Sequence, residues 1–311
     1  MQKVNGHHKA DLIVKYFLML FAIAASTMIV LIVGFIFVRG IIPFTTDNDG
    51  LGAVRLGQFL TGFTWLQGQT FVSTVYGVGY LIINTVYVVT LSLLISFPIS
   101  VLMALFIAKI CPKKIALILR SVVELLTAIP SIVFGLVGAG LIMPYIYNIA
   151  ITLGFRSNAG LGVMSVVIVL ALMSIPTITT ISETAIRSVD KKLEDASYAL
   201  GATKAQTNYK VILIAAKGGI FSAVILAVGR ALGEATAVSL VAGNATTGPS
   251  FLPFEITATL TSMMLGGMHE TSGIDYDIRF SLGVVLLSVI LIVNFGLNFI
   301  KKKVGSLDEN A

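Results

Sequence analysis

Six stretches of the chain carry almost nothing but apolar side chains, separated by segments rich in charge, glycine or hydroxyl groups. They run roughly over Phe17–Val38, Val78–Ala108, Leu117–Tyr147, Leu161–Ile181, Gly219–Val241 and Leu282–Ile300. A helix rising about 1.5 Å per residue crosses a hydrocarbon layer of about 30 Å in about 20 residues, so each stretch is long enough to span. The pattern predicts six transmembrane helices. Pro98, Pro130 and Pro176 fall within or near the ends of spans two, three and four, where each removes a backbone donor and favours a kink or break. Helix geometry alone accounts for these prolines without a gating role.

Composition agrees with that reading. The chain has 311 residues, of which 56% are hydrophobic and 12% charged. Soluble domains carry about 25% charged residues. The mean hydropathy is +0.96. The chain therefore reads as an all-α integral membrane protein. Its net charge of +6 would suit a nucleic-acid partner, but the placement of the charges does not. With a cytoplasmic N-terminus, the inside segments hold Lys3, Lys9, Lys15, Lys109, Lys113, Lys114, Arg120, Arg187, Lys191, Lys192, Lys204, Lys210, Lys217 and Lys301–Lys303. The outside segments hold only Arg39, Arg55, Arg156 and Arg279. This bias places both termini in the cytoplasm; that topology explains the basic excess without nucleic acid, and membrane lipid is the expected surrounding of the spans.

The first span is too long and too evenly apolar for a cleaved signal peptide and reads as an uncleaved anchor. The lone Cys111 permits no internal disulfide, and an inert thiol is expected there. His7, His8 and His269 show no metal-ligand spacing and read as solvated. Two outside segments are long. Gly40–Gly77 is rich in glycine and threonine and holds the only tryptophan, Trp65. Ala245–Phe280 contains EITATLTSMMLGGM, a helix-like run too short to span, which fits a re-entrant or interfacial helix. Either segment suits docking of an external protein or a plain solvent-facing connection.

Few residues offer chemistry. Arg230 and Glu234 lie four apart in span five, where a continuous helix would put them on one face as a pair. Charges inside a membrane span face protein or water, and an arginine fork matches the oxygens of an anion such as phosphate. Arg230 is thus expected to meet a passing anion, with Glu234 moderating its grip; the bland alternative is a structural ion pair locking the helices. Arg120 and Glu124 form a similar spacing at the start of span three, and Glu183 ends span four; interfacial helix pairs account for both. The P-loop pattern G-x-x-x-x-G-K-[ST] does not occur, and no catalytic triad, metal cluster or cofactor motif is evident. A conduit rather than an enzyme is expected, with the energy supplied by a partner.

Between spans four and five lies a polar, helix-forming loop, Ser182–Lys217, with an elbow at Gly201 after a short helix. It carries Asp195, Ala196 and Ser197, then Gly201, then Val211 and Leu213. These residues resemble the EAA loop of ABC importer permeases, with Asp195 in place of the usual Glu and Ile214 in place of the usual Pro. ELLTAIPSIVFGL at Glu124–Leu136, SIPTITTISETAIRSV at Ser174–Val189 and GRALGEATAV at Gly229–Val238 narrow the resemblance to the PstC-type permease of phosphate importers. That resemblance implies a type I ABC importer permease fold and a bacterial or archaeal plasma-membrane location. It further implies a PstA-type permease as heterodimer partner, two PstB-type ATPase subunits docked on the EAA loop, and a PstS-type phosphate-binding protein outside. No cofactor follows from it. The implied layout is an N-terminal tail, first helix and external segment over 1–77, a permease core over 78–303 with the coupling loop at 182–217, and a tail over 304–311. Two other readings stay open: a permease for molybdate or sulfate, and an ion-gradient secondary transporter, against which stand the coupling loop and the lack of a visible inverted repeat.

Overall fold

The computed structural model describes residues 4–46, 53–66, 75–268 and 270–306. His269 lies outside the described residues, as do Lys3, the last residues of the tail and the side chains of His7, His8 and Lys9. Six helices are long and apolar enough to cross a membrane: Val14–Thr45, Gly79–Ile110, Ser131–Thr152, Val163–Arg187, Lys204–Leu232 and Ile274–Lys303. Helix α1 spans Val4–Thr45, so the expected external segment from Gly40 is helical for its first residues. Helix α2, Leu56–Thr61, and a two-strand ladder, β1 Trp65–Leu66 against β2 Val75–Tyr76, follow. The strands are antiparallel, with Trp65 opposite Tyr76. Helix α3 covers Gly79–Leu105 and closes through a wider turn at Phe106–Ile110.

The third span departs from the expected Leu117–Tyr147. Helix α4 runs from Lys113 to Ala128 and stops; α5 starts at Ser131, reaches Val137, and continues through a wide turn at Gly138–Ile142 into α6, Met143–Thr152. The break has a local cause. Pro130 bars the residue before it from helical backbone, and Ile129 is extended at φ −66°, ψ 129°. The fifth span is also broken. After α7, Val163–Arg187, and α8, Lys191–Ala199, a helix begins as α9 at Lys204–Thr207. It continues through a wide turn at Asn208–Ile212 into α10, Leu213–Leu232. It ends at Gly233, and α11 resumes only at Thr236–Val241. The expected single helix over Gly219–Val241 is therefore two.

The centre is built from α3, α7, α10 and α11, where Val88, Val166, Leu170, Val228, Leu232, Val238 and Val241 pack together. Between membrane helices such contacts hold by close van der Waals fit rather than by exclusion of water, and small residues decide how near two backbones come. A Cβ on Gly219 of α10 would sit 2.4 Å from the Cβ of Ala185 on α7. One on Gly135 of α5 would sit 2.8 Å from the Cα of Ala237 on α11. Both glycines are where helices touch.

The segment after α11 folds inward. Helix α12 covers only Leu260–Leu265, with Thr259 capping its start by a reciprocal bond with Ser262, so the expected helical run begins five residues late. Its leader is pinned to α3: Ser250 N–H donates to Asn84 Oδ1 at 3.0 Å and Leu260 N–H to Thr85 Oγ1 at 3.0 Å. Helix α13, Ile274–Ser306, closes the chain. Arg279, expected among the external charges, is 1% exposed on α13. Its guanidinium donates to the carbonyl of Met263 at 2.7 Å, near the C-terminal end of α12. Tyr76 of β2 bonds to Asp275, and burial together with that carboxylate raises the phenol well above its usual range. The segments expected outside thus come together as one cap: Trp65 N–H reaches Thr246 O at 2.7 Å, and Arg39 pairs with Asp277 at 3.2 Å.

Candidate functional site

The two helix breaks meet. Ser131, first residue of α5, lies 2.8 Å from the hydroxyl of Thr236, first residue of α11. Thr236 gives its one proton to Glu234 Oε1 at 3.0 Å, so Ser131 is the donor in the first contact. Glu234 Oε1 also accepts from Ala237 N–H at 3.1 Å, which places the carboxylate at the start of α11 as its cap. The backbone carbonyl of Glu234 accepts from Thr261 at 2.7 Å. Arg230, half-buried near the end of α10, donates through Nη1 to Thr177 Oγ1 on α7 at 3.1 Å. Thr177 lies fourteen residues into α7, about 21 Å along it at 1.5 Å per residue, so this hydroxyl layer sits near the middle of the span.

The expected Arg230–Glu234 ion pair is not formed. Among the described residues the ion pairs are Arg39–Asp277, Lys109–Glu194, Arg120–Glu124 and Arg187–Glu183. A pair at i, i+4 needs an unbroken helix, and the turn at Gly233 sends Glu234 to α11 instead. Arg230 is left with a neutral hydroxyl partner and four further donor positions.

The connection between spans four and five is shorter than Ser182–Lys217, because α7 runs to Arg187 and the fifth span starts at Lys204. Asp190 caps α8 by accepting from Lys192 N–H at 2.9 Å. Gly201, at φ +82°, makes the elbow in the left-handed region that suits glycine, and Thr203 with Gln206 forms a capping box on α9. Asp195, Ala196 and Gly201 are exposed; Val211 and Leu213 are half-buried. Ser197, expected on the docking surface, is buried and shares a hydrogen bond with Thr207 at 2.9 Å. Leu200 at the tip is 89% exposed. Lys109, from the end of α3, reaches Glu194 at 2.6 Å and by that bond holds the carboxyl below its ordinary value. Glu183, expected at an interface, is buried and accepts from Arg187 at 2.7 Å.

A cavity of about 630 Å³ between α3, α10 and α13 has Thr90 and Lys217 as its sole polar lining and no convergent donors. The chemistry lies instead in the hydroxyl layer. Among the described residues no cluster of His, Cys, Asp or Glu could hold a metal ion. Thr177, Ser131, Thr236 and Thr261 were not singled out from sequence. Hydroxyls in apolar spans are a usable signal, but which of them converge depends on where the helices break.

Comparison with known proteins places this geometry. The family described as binding-protein-dependent transport system inner membrane component matches residues 96–305. The probable ABC transporter permease protein YqgH of Bacillus subtilis (strain 168) is 37% identical over 270 residues, covering 86% of this chain and 82% of its own. The phosphate transport system permease protein PstC 1 of Mycobacterium tuberculosis (strain ATCC 25618 / H37Rv) is 31% identical over 281 residues, covering 79% of this chain and 82% of its own. Among solved structures, a chain of a bacterial alginate ABC transporter in complex with a pentasaccharide-bound periplasmic protein superposes with a TM-score of 0.61 at 18% identity. That likeness covers 94% of this chain and 96% of the other. A chain of the MetNI methionine ABC transporter gives 0.51 at 20% identity, over 73% of this chain and 94% of the other. These two likenesses show the fold: six membrane helices in an ABC importer permease arrangement.

Proposed function

This chain belongs to the family of binding-protein-dependent transport system inner membrane components, and within it we propose that the chain forms half of the translocation pathway of an inorganic phosphate importer. The observation that carries this reading is Arg230. A half-buried guanidinium near mid-span, bonded to one hydroxyl and ion-paired with no carboxylate among the described residues, offers a planar donor fork to a tetrahedral oxyanion. Thr177 positions the fork, while Glu234 holds the start of α11 and keeps its charge turned from Arg230. A contact with so few fixed partners favours passage over storage. The PstC-type relatives support phosphate as the anion.

The partners in this reading are a PstA-type permease, two PstB-type ATPase subunits and a PstS-type phosphate-binding protein. ATP hydrolysis belongs to the ATPase pair. The exposed face of α8 with Asp195, Ala196 and Gly201 meets one ATPase subunit, and the α9–α10 helix, with Val211 and Leu213 near its start, carries the motion inward. ATP-driven closure of the ATPases rocks the two permeases between inward- and outward-open states. Both termini lie in the cytoplasm of a bacterial or archaeal cell, and the core covers 78–303.

The test is uptake of labelled phosphate at micromolar concentration in cells lacking the chain and in cells with it restored, with sulfate and molybdate as parallel tracers. Loss and return of phosphate uptake alone supports the reading. A change confined to sulfate or molybdate keeps the permease and replaces its substrate. Transport that survives ATP depletion and stops on collapse of the proton gradient points to a secondary transporter.

A further inference from the structure

The cytoplasmic half of the molecule holds charges that the mid-span site leaves unused, and α4 sorts them by face. Ala116, Leu119 and Val123 pack on Met103 and Ile107 of α3 and its terminal turn. On a second face Ile115, Ile118, Val122 and Leu125 are exposed, an apolar surface fit for lipid. Opposite that face, at helical spacing, stand Arg120, Glu124 and Thr127. A polar stripe opposite a lipid-facing one belongs beside water or protein, not acyl chains.

Helix α7 carries a matching stripe. Thr177, Thr180 and Thr184 recur at three- and four-residue steps, with Ser188 just beyond its end. Thr184 and Ser188 are exposed while the neighbours Ser182, Glu183 and Ile186 are buried. α4 packs against α7, and Arg120 lies within electrostatic reach of Glu183. Both stripes lead from the same place: the α4 stripe ends just before Ser131, which bonds Thr236, and the α7 stripe starts at Thr177, which holds Arg230.

The cations along this lane are not equivalent. Arg187 is committed, donating to buried Glu183 at 2.7 Å and to the carbonyl of Ile107 at 3.3 Å. Among the described residues Arg120 hydrogen-bonds only to Glu124, at 2.9 Å, with the two side chains 48% and 52% exposed. An exposed pair of this kind holds weakly and can exchange a carboxylate for another oxyanion.

We propose that Arg120 is a second oxyanion contact, placed in the cytoplasmic half of a lane formed by the polar faces of α4 and α7, and that it takes the anion by releasing Glu124. Glu124, once displaced, repels the anion toward the cytoplasm. The assignment rests on Arg230 meeting the same anion at mid-span.

The experiment uses the full transporter in cells, with Arg120→Gln and Arg230→Gln measured side by side for labelled phosphate uptake. Arg120→Gln is expected to lower maximal uptake about tenfold with the half-saturating external concentration unchanged, since capture occurs on the other side. Arg120→Lys is expected to keep most of the activity. In a Cys111→Ser background, Arg120→Cys should be restored in inverted vesicles by a cationic aminoethyl thiol reagent and not by a neutral methyl one. That pair of reagents decides the matter even if Arg120→Gln fails to assemble. Wild-type uptake by Arg120→Gln, or equal rescue by the neutral reagent, overturns the second contact. If Arg230→Gln also transports phosphate normally, the mid-span reading fails and takes this proposal with it; if Arg230→Gln is dead and Arg120→Gln is normal, only the second contact is wrong.

Discussion

Lys109 and Glu194 close to 2.6 Å at the base of α8, whereas Arg230 meets nothing more than the hydroxyl of Thr177 at 3.1 Å. The two regions spend their charges differently. Around the loop between α7 and α10 several polar groups have fixed partners: Asp190 caps α8, Thr203 and Gln206 cap α9, Ser197 holds Thr207, and Arg187 holds Glu183. Around the mid-span breaks, the one cation is left with a neutral partner while the carboxylate beside it in sequence is turned to another helix. A segment that passes on force gains from closed bonds that keep its shape. A segment that passes on an anion gains from a cation whose bonds are left to make.

Arg230→Gln is the sharpest way to break that contrast. With the complex still assembled, phosphate uptake should fall about 100-fold or more, because the lost interaction is charge-assisted and within the span; uptake near normal would make Arg230 a packing residue. Gly135→Val comes next. Its side chain would start 2.8 Å from the Cα of Ala237, so the α5–α11 contact should open at a cost of about 1–3 kcal/mol, seen as a lower melting temperature of the purified complex. Glu194→Gln should lower transport severalfold while ATPase activity of the partner persists, which separates coupling from hydrolysis.

The same carboxyl gives a pH prediction. Its value is lowered by Lys109, so the stability it contributes is complete above the ordinary carboxylate range of about 4.3 and is lost only as pH falls through the lowered value. Thermal stability of the complex should therefore show no dependence on this pair between about pH 6 and 8, and Glu194→Gln should narrow the gap to wild type only on acidification. The smallest effect is expected for Thr177→Val. It removes one acceptor from Arg230 but leaves the charge, so uptake should drop about two- to fivefold, far less than on loss of the guanidinium itself.

Hydropathy placed all six spans, because length and apolarity are local properties; the starts of spans two and four came out within two residues. It also located Gly201 and the short helices on either side of it. What escaped were the breaks. Pro130 was visible, yet nothing local said that α4 would stop there rather than kink. Gly233 sits in an apolar run that reads as continuous helix. Once the breaks are known, Glu234 becomes a cap and Ser131, Thr177, Thr236 and Thr261 converge across 130 residues of sequence. The burial of Arg279 was hidden for a related reason: position in a connecting segment says nothing about the carbonyls of α12 that bury it.

The helix from Lys204 to Leu232 is 29 residues long, about 44 Å at 1.5 Å per residue. Its one irregular turn, Asn208–Ile212, lies at the end nearest Gly201, and Arg230 rides at the other. As a lever, the helix would pivot at that turn. A tilt of about 5° there moves Arg230, about 30 Å along the helix from that turn, by about 2.6 Å. That shift, added to the 3.1 Å between Arg230 and Thr177, is enough to break their hydrogen bond.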